Sequence, residues 1–193
     1  MGLTQHGEHL YKLTRFAIMN LFLVKEEDGI TVVDAGMPGS LKAIEDAAQS
    51  IGLPIKRFVL THGHLDHTGS LDALAEAIPD LEIMMGERTA ACIDGDLSLK
   101  PGEPQKAIKG GFPALKTKPT RLLQPGDEIG SLQVHASPGH TPGHLSYFNQ
   151  RDETLIAGDS FKTQGGTNVI GEFSIWFPLP YFATWDQKTS LDS

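Results

Sequence analysis

The sequence predicts an α/β fold of the α+β kind, with mixed β-sheets covered by helices. Short apolar runs bounded by Gly, Pro or Asp recur through the first and last thirds of the chain, with helix-spaced apolar positions between them. Several of these runs are joined by connections too short to cross over between parallel strands, so part of the pairing must be antiparallel. A doubly wound, all-parallel sheet does not fit that order.

Residues 10–14 and 19–25 read as strands joined by the connection 15–18. The β-branched run Ile30-Thr31-Val32-Val33 is a third strand, over 30–34, that ends in Asp34-Ala35-Gly36. Pro38-Gly39-Ser40 starts a helix that places Leu41, Ile44, Ala47, Ala48 and Ile51 on one face, and Gly52 and Pro54 stop it. A buried-type strand over 57–60 runs into the polar stretch 61–70. A helix over 71–78 ends at Pro79, and a strand over 82–85 and a helix over 87–93 follow. Residues 94–118, rich in Gly, Pro and Lys, predict a long, mobile connection, and such a loop in a compact domain is functional or disordered. Strands over 121–123, 132–136, 145–148 and 154–157 are separated by turn residues. A Gly-rich loop and Phe177-Pro178-Leu179-Pro180 then lead to a helix expected to open at about Thr184. No close internal repeat is visible.

A chain of 193 residues, 39% hydrophobic and 21% charged, suits one domain with a sizeable core. Its net charge of −8 argues against a nucleic-acid partner, which needs a basic face. Cys92 is the single cysteine and cannot build an intrachain disulfide, so a reducing, cytoplasmic location is expected. No basic-then-apolar leader opens the chain and no apolar run is long enough to span a bilayer, so no membrane association is expected. The expected partner is a small-molecule substrate, with a homo-oligomer left open.

The chemistry concentrates in Thr61-His62-Gly63-His64-Leu65-Asp66-His67, where four potential metal ligands fall within six residues. Imidazole nitrogen and carboxylate oxygen suit Zn²⁺ and its first-row neighbours. His62 and His64, two apart in an extended stretch, leave the same side, while Asp66 and His67 can turn toward a second ion. The segment Ser137-Pro138-Gly139-His140-Thr141-Pro142-Gly143-His144 repeats the theme, its prolines and glycines fixing the backbone around His140. His140 is the ligand candidate there, and His144 reads as a hydrogen-bonded support. Asp159, at the end of a buried strand, is either a helix cap or a bridging ligand, and the two histidine segments favour the bridge. Asp34 at a similar strand end either orients a ligand histidine or shapes its turn. His135 points away from its apolar neighbours, and His6 and His9 lie in a terminus expected to fray; none of the three receives a role. Phe16, Ile18 and Met19 on one side, and Phe173, Ile175, Trp176, Phe177 and Tyr181 on the other, are either cavity walls or ordinary core.

The run from His62 to His67 resembles the HxHxDH signature of the metallo-β-lactamase superfamily, with Asp34, His140 and Asp159 in that family's order around it. The resemblance covers nearly the whole chain. It implies a four-layer αβ/βα sandwich of two mixed sheets, with a metal site at one edge between them. It implies a first site from His62, His64 and His140, and a second from Asp66 and His67 with Asp159 bridging. The implied cofactor is Zn²⁺, one or two ions per chain, although the same donors accept Fe or Mn²⁺. The implied activity is hydrolysis of a small ester, lactone or thioester by metal-bound hydroxide, with Asp66 orienting the nucleophile or protonating the leaving group.

Two departures refine that expectation. Metallo-β-lactamases proper commonly place a cysteine in their second site, whereas Asp159 stands here and Cys92 is remote from every motif. The chain therefore looks more like the lactonases, glyoxalase II and the phosphodiesterase branch. Glyoxalase II carries an additional C-terminal region, and a nuclease is disfavoured by the acidic charge. The family pattern also ends with another histidine on a late strand, but no histidine follows His144. The expectation is a single domain over 1–193 without the family's last strand and helix, its second metal site one ligand short. A catalytically impaired protein and a phosphodiesterase-type hydrolase are the alternatives to an ester hydrolase.

Overall fold

Period-two alternation builds the centre of the molecule, described by a computed structural model over residues 2–163, 166–173, 175 and 179–193. The larger sheet runs in sequence order: β1 (Gly2–His6), β2 (Leu10–Arg15), β3 (Met19–Lys25), β4 (Ile30–Val33), β5 (Ile55–Leu60), β6 (Glu82–Gly86) and β7 (Arg121–Leu123). Pairing is antiparallel from β1 to β4 and parallel from β4 to β7, so this sheet is mixed. The smaller sheet holds β8 (Glu128–Ile129), β9 (Leu132–Ala136), β10 (Leu145–Asn149) and β11 (Thr154–Ile156) in the order β11-β10-β9-β8, and is antiparallel throughout. A hairpin of β12 (Phe161–Lys162) and β13 (Asn168–Val169) follows.

Successive side chains of a strand point to opposite faces, and here the two faces feed two cores. Leu21, Leu23, Val32, Phe58, Leu60, Ile83 and Met85 pack against α1 (Leu41–Ile51), α3 (Leu71–Ala77) and α4 (Glu87–Ile93) through Ile44, Ala47, Leu71, Leu74 and Ile93. Val24, Val33, Val59 and Met84 face the other way and meet Leu132, Val134, Leu145, Tyr147 and Ile156 of the smaller sheet. The two-sheet core of an αβ/βα sandwich is therefore present. Three short α-helices, α2 (Leu65–Thr68), α5 (Leu179–Ala183) and α6 (Gln187–Asp192), and a 3-10 turn at Gly158–Ser160 complete the described elements. None of the helices is long and apolar enough to cross a membrane among the described residues.

Three sequence expectations need correction. The N-terminus does not fray: β1 pairs with β2 along its whole length, and the following turn is anchored where His9 donates to Asp152 through its backbone N–H (3.0 Å) and ring Nδ1 (2.9 Å). Every residue of β1 is exposed, so no apolar alternation marked it. Residues 94–118 contain no helix or strand, as expected of a connection, but they are fastened rather than loose. Arg88 pairs with Glu103, Asp72 accepts the Thr117 N–H, and Leu115 packs on the core. The last helix opens at Gln187 instead of near Thr184, because the Asp186 side chain caps it by accepting the Thr189 N–H at 2.8 Å. Thr184 is released from the helix and buried elsewhere.

Candidate metal centre

The carboxyl ends of strands from both sheets meet at one place. β4 delivers Asp34, β5 delivers Thr61 and His62, the loop after β9 carries His140 and His144, and β11 leads to Asp159. The two sheets are stitched there by the Leu145 N–H, which donates to the Thr61 carbonyl at 2.9 Å. The single turn α2 folds the signature. His64 caps it in extended conformation, and its carbonyl accepts the N–H groups of His67 and Thr68 at 3.0 Å. That turn brings the His67 ring to 4.1 Å from the His62 ring, centroid to centroid.

The hydrogen-bond partners assign each histidine's tautomer. His64 Nε2 lies 3.2 Å from the Lys109 carbonyl, an acceptor only, so Nε2 carries the proton and Nδ1 a lone pair. The Thr61 hydroxyl donates to Asp34 (2.9 Å to Oδ2) and thus accepts from His62 Nδ1–H at 3.1 Å. The Thr184 hydroxyl donates to the Pro180 carbonyl (2.7 Å) and accepts from His140 Nδ1–H at 3.1 Å. Asp34 Oδ2 accepts from His67 Nδ1–H at 2.7 Å. His62 Nε2, His64 Nδ1, His140 Nε2 and His67 Nε2 remain, and all turn inward. His64 Nδ1 stands 3.2 Å from His62 Nε2 and 3.0 Å from His140 Nε2. Lone pairs that close repel unless a cation stands among them, so this donor set fits a metal ion.

Two sets of donors converge: His62, His64 and His140, and His62, His67 and Asp159. Asp159 reaches both, with Oδ1 at 3.3 Å from His67 Nε2 and Oδ2 at 3.4 Å from His140 Nε2. Asp66 stands at the rim, 3.7 Å from His67 Nε2 with its side chain 43% exposed, outside either convergent set. His144 has no nitrogen to spare, because Nε2 accepts the Asp159 N–H (3.1 Å) and Nδ1 faces the Ser137 hydroxyl (2.8 Å). It supports the backbone of Asp159, as a hydrogen-bonded histidine was expected to do. Asp34 shapes a turn and orients a histidine at once: its left-handed backbone (φ 65) aims the carboxylate back at Thr61 and His67.

The electrostatics match the donor chemistry. Burial pushes His62 well below its ordinary value, lowers His64, and takes His140 to about 3, so these rings are held neutral and ready to ligate. Burial opposes a charge on His67 too, but the carboxylates of Asp34 and Asp159 outweigh it and hold that ring well above its ordinary value. Burial also works against ionised Asp159, yet His67 keeps its carboxyl well below the usual range.

His64, Asp66, His67, His140 and Asp159 form one wall of a cavity of about 630 Å³, with His62 buried behind them. Of the two readings open for Ile18 and Met19, both take the wall position, joined by Phe22, Leu155, Phe161 and Ile170. Phe16, Phe173 and Ile175 are 64%, 60% and 80% exposed, and with Tyr181 they are not part of the lining; Trp176 and Phe177 lie outside the described residues. The residues that sequence reasoning missed are the supports Thr61, Thr184 and the Lys109 carbonyl. Thr61 adjoins the signature and had a local signal, whereas Thr184 is 44 residues from His140 and had none.

The chain matches the metallo-beta-lactamase superfamily over residues 16–193. It is 44% identical over 197 residues to the uncharacterized protein YobT of Bacillus subtilis (strain 168), covering 100% of this chain and 84% of that one. It is 30% identical over 200 residues to the probable metallo-hydrolase YflN of the same organism, covering 91% and 74%. A hydroxyacylglutathione hydrolase of Legionella pneumophila (strain Corby) is 28% identical over 141 residues, 72% of this chain and 46% of that enzyme. Among solved structures it resembles BJP-1, a subclass B3 metallo-beta-lactamase of Bradyrhizobium japonicum, at 28% identity and a TM-score of 0.59. That likeness covers 75% of this chain and 55% of the other, so the chain spans little more than half the length of that structure. By its signature turn, its two-sheet core and this match over residues 16–193, the chain belongs to the metallo-beta-lactamase superfamily.

Proposed function

We propose that the chain is a metal-dependent hydrolase of a small ester, lactone or thioester, with Zn²⁺, one or two ions per chain, as its cofactor. The observation that carries this reading is the convergence of the inward lone pairs of His62, His64 and His140, with His67 and Asp159 beside them, at a cavity with apolar walls. His62, His64 and His140 would hold one ion, and His67, Asp66 and Asp159 a second, with Asp159 shared. Bound there, such an ion supplies Lewis acidity, making water a nucleophile near neutral pH and polarising a carbonyl oxygen.

The remaining tasks fall to side chains. Asp66, at the rim, takes the proton of the attacking water on its carboxylate and returns it to the leaving oxygen or sulfur. Asp34 and Thr61 hold His67 and His62 in the tautomers that face the cavity. Ile18, Met19, Phe22 and Ile170 seat an apolar acyl or lactone portion and keep bulk water from the reacting carbon. The likeness to a hydroxyacylglutathione hydrolase favours attack on an acyl carbon over attack on phosphorus.

The test is elemental analysis of the full chain followed by assay of aryl esters, lactones, acyl-glutathione thioesters and bis(p-nitrophenyl) phosphate. Turnover of a carbonyl substrate, lost together with metal in His62→Ala and Asp159→Ala, is expected. Turnover of the phosphodiester alone would replace this reading with the phosphodiesterase one. Full metal content with no turnover of any carbonyl substrate would overturn it.

A further inference from the structure

The first donor set joins two distant parts of the chain, and one continuous run of contacts holds both. The Lys109 carbonyl fixes His64 Nε2–H at 3.2 Å, and the Phe112 ring packs edge-on against the His64 ring, 5.1 Å between centroids. Three residues before Lys109, the Lys106 carbonyl accepts from Trp185 Nε1–H at 2.8 Å, and Lys106 Nζ pairs with Asp186 Oδ2 at 2.5 Å. The backbone N–H groups of Trp185 and Asp186 donate to the carbonyls of His140 and Gly139, both at 3.0 Å. Thr184, next in line, fixes the His140 ring. Trp185 is 1% exposed and plugs the junction.

Gly110 is the tightest point of this run. Its φ of +84 favours glycine, and a Cβ built there would overlap His64 Nε2. Gly111, its neighbour, has a conformation open to any residue and nothing within 4 Å of its would-be Cβ. Adjacent positions in one loop therefore separate a local push on His64 from a general change of the loop.

We propose that residues 106–112 and 184–186 form one strap that positions His64 and His140 together, with Gly110 and Trp185 as its positioning residues. The inference rests on the metal reading of the site. Groups that orient a ligand from behind are typically worth 10–100-fold in metal affinity, and the strap acts on two of the three donors of the first set.

The experiment is titration of the full chain with Zn²⁺ against a chromophoric chelator, and with Co²⁺ followed by its visible d–d bands. Gly110→Ala is expected to weaken one ion's binding about tenfold or more and to alter the Co²⁺ bands. Gly111→Ala should match the wild type in both. Trp185→Phe, which loses the tether to Lys106, should shift the same bands and weaken the same ion. A merely structural role would lower the thermal midpoint and both ions' affinities in parallel, leaving the Co²⁺ spectrum of the loaded protein unchanged. Wild-type affinity and bands in Gly110→Ala would overturn the strap, as would equal weakening in Gly111→Ala. If Gly110→Ala does not fold, Trp185→Phe decides on the same readouts. A wild-type chain that takes up neither ion would instead overturn the metal reading and this inference with it.

Discussion

Asp34 and His67, 33 residues apart in sequence, are joined by a 2.7 Å hydrogen bond between buried groups. The bond depends on Asp34 holding a left-handed backbone, which Asn and Asp tolerate better than other non-glycine residues. Asp34→Asn keeps that backbone but replaces one acceptor oxygen with a donor NH₂. The three donors that Asp34 now accepts, from Thr61 N–H, Thr61 O–H and His67 Nδ1–H, can no longer all be met. Zinc binding at the set containing His67 is expected to weaken about 10–100-fold. Chelator competition measures it, and wild-type affinity in Asp34→Asn would refute the orienting role.

Buried neutral histidines make the metal-free protein acid-sensitive. Burial takes His140 and His144 from an ordinary value of 6.5 to about 3, and lowers His62 and His64 as well. A folded-state value below the unfolded one means that the contribution is complete above about pH 6.5 and is lost as pH falls toward about 3. His67 has the opposite sign, its value being raised by Asp34 and Asp159 once burial is overcome, so its contribution fades as pH rises. Four groups outweigh one, and the urea midpoint of the metal-free chain should fall between pH 7 and pH 4. A midpoint flat across that range would contradict the burial argument.

Tyr147 bridges the sheets without touching the donors. Its buried hydroxyl donates to the Leu60 carbonyl at 2.6 Å, two residues before His62. Tyr147→Phe preserves the packing and strands that carbonyl lone pair, at a cost of about 1–3 kcal/mol. Urea denaturation should show the loss while zinc affinity stays at the wild-type value. A parallel drop in affinity would mean that the sheet contact tunes the site.

Ile44 tests the other core. It is fully buried on α1 against the larger sheet. Ile44→Ala should cost about 2–5 kcal/mol of stability by opening a cavity. Denaturation of the metal-free chain reads it directly, and a loss under 1 kcal/mol would show that the helix layer collapses onto the gap.

Local chemistry was readable from the sequence, and long-range support was not. His62, His64, Asp66 and His67 fall within six residues, and His140 sits between prolines and glycines, so their residue types alone pointed to metal donors. The central strands were readable because burial on both faces leaves β-branched runs such as Ile30 to Val33, in which Thr31 is the single polar residue. β1 was not, since a strand exposed on both faces has no apolar pattern. The grip of Lys109 on His64 uses a main-chain carbonyl 45 residues away, and a carbonyl has no letter in a sequence. Thr184 looked like the start of a helix because Asp186, the true cap, follows it two residues later.

His64 and His140 lie 76 residues apart, one on each sheet's side of the centre. Closing so long a loop costs entropy that only a docked pair of sheets recovers, and such non-local contacts form late in folding. A metal ion would therefore find its full donor set only after the two sheets have met. Its binding energy then belongs to the native state and acts chiefly on the rate of escape from it. Such an ion would be a latch on a finished structure, so added zinc should lengthen the lifetime of the folded chain while leaving the speed of its formation almost unchanged.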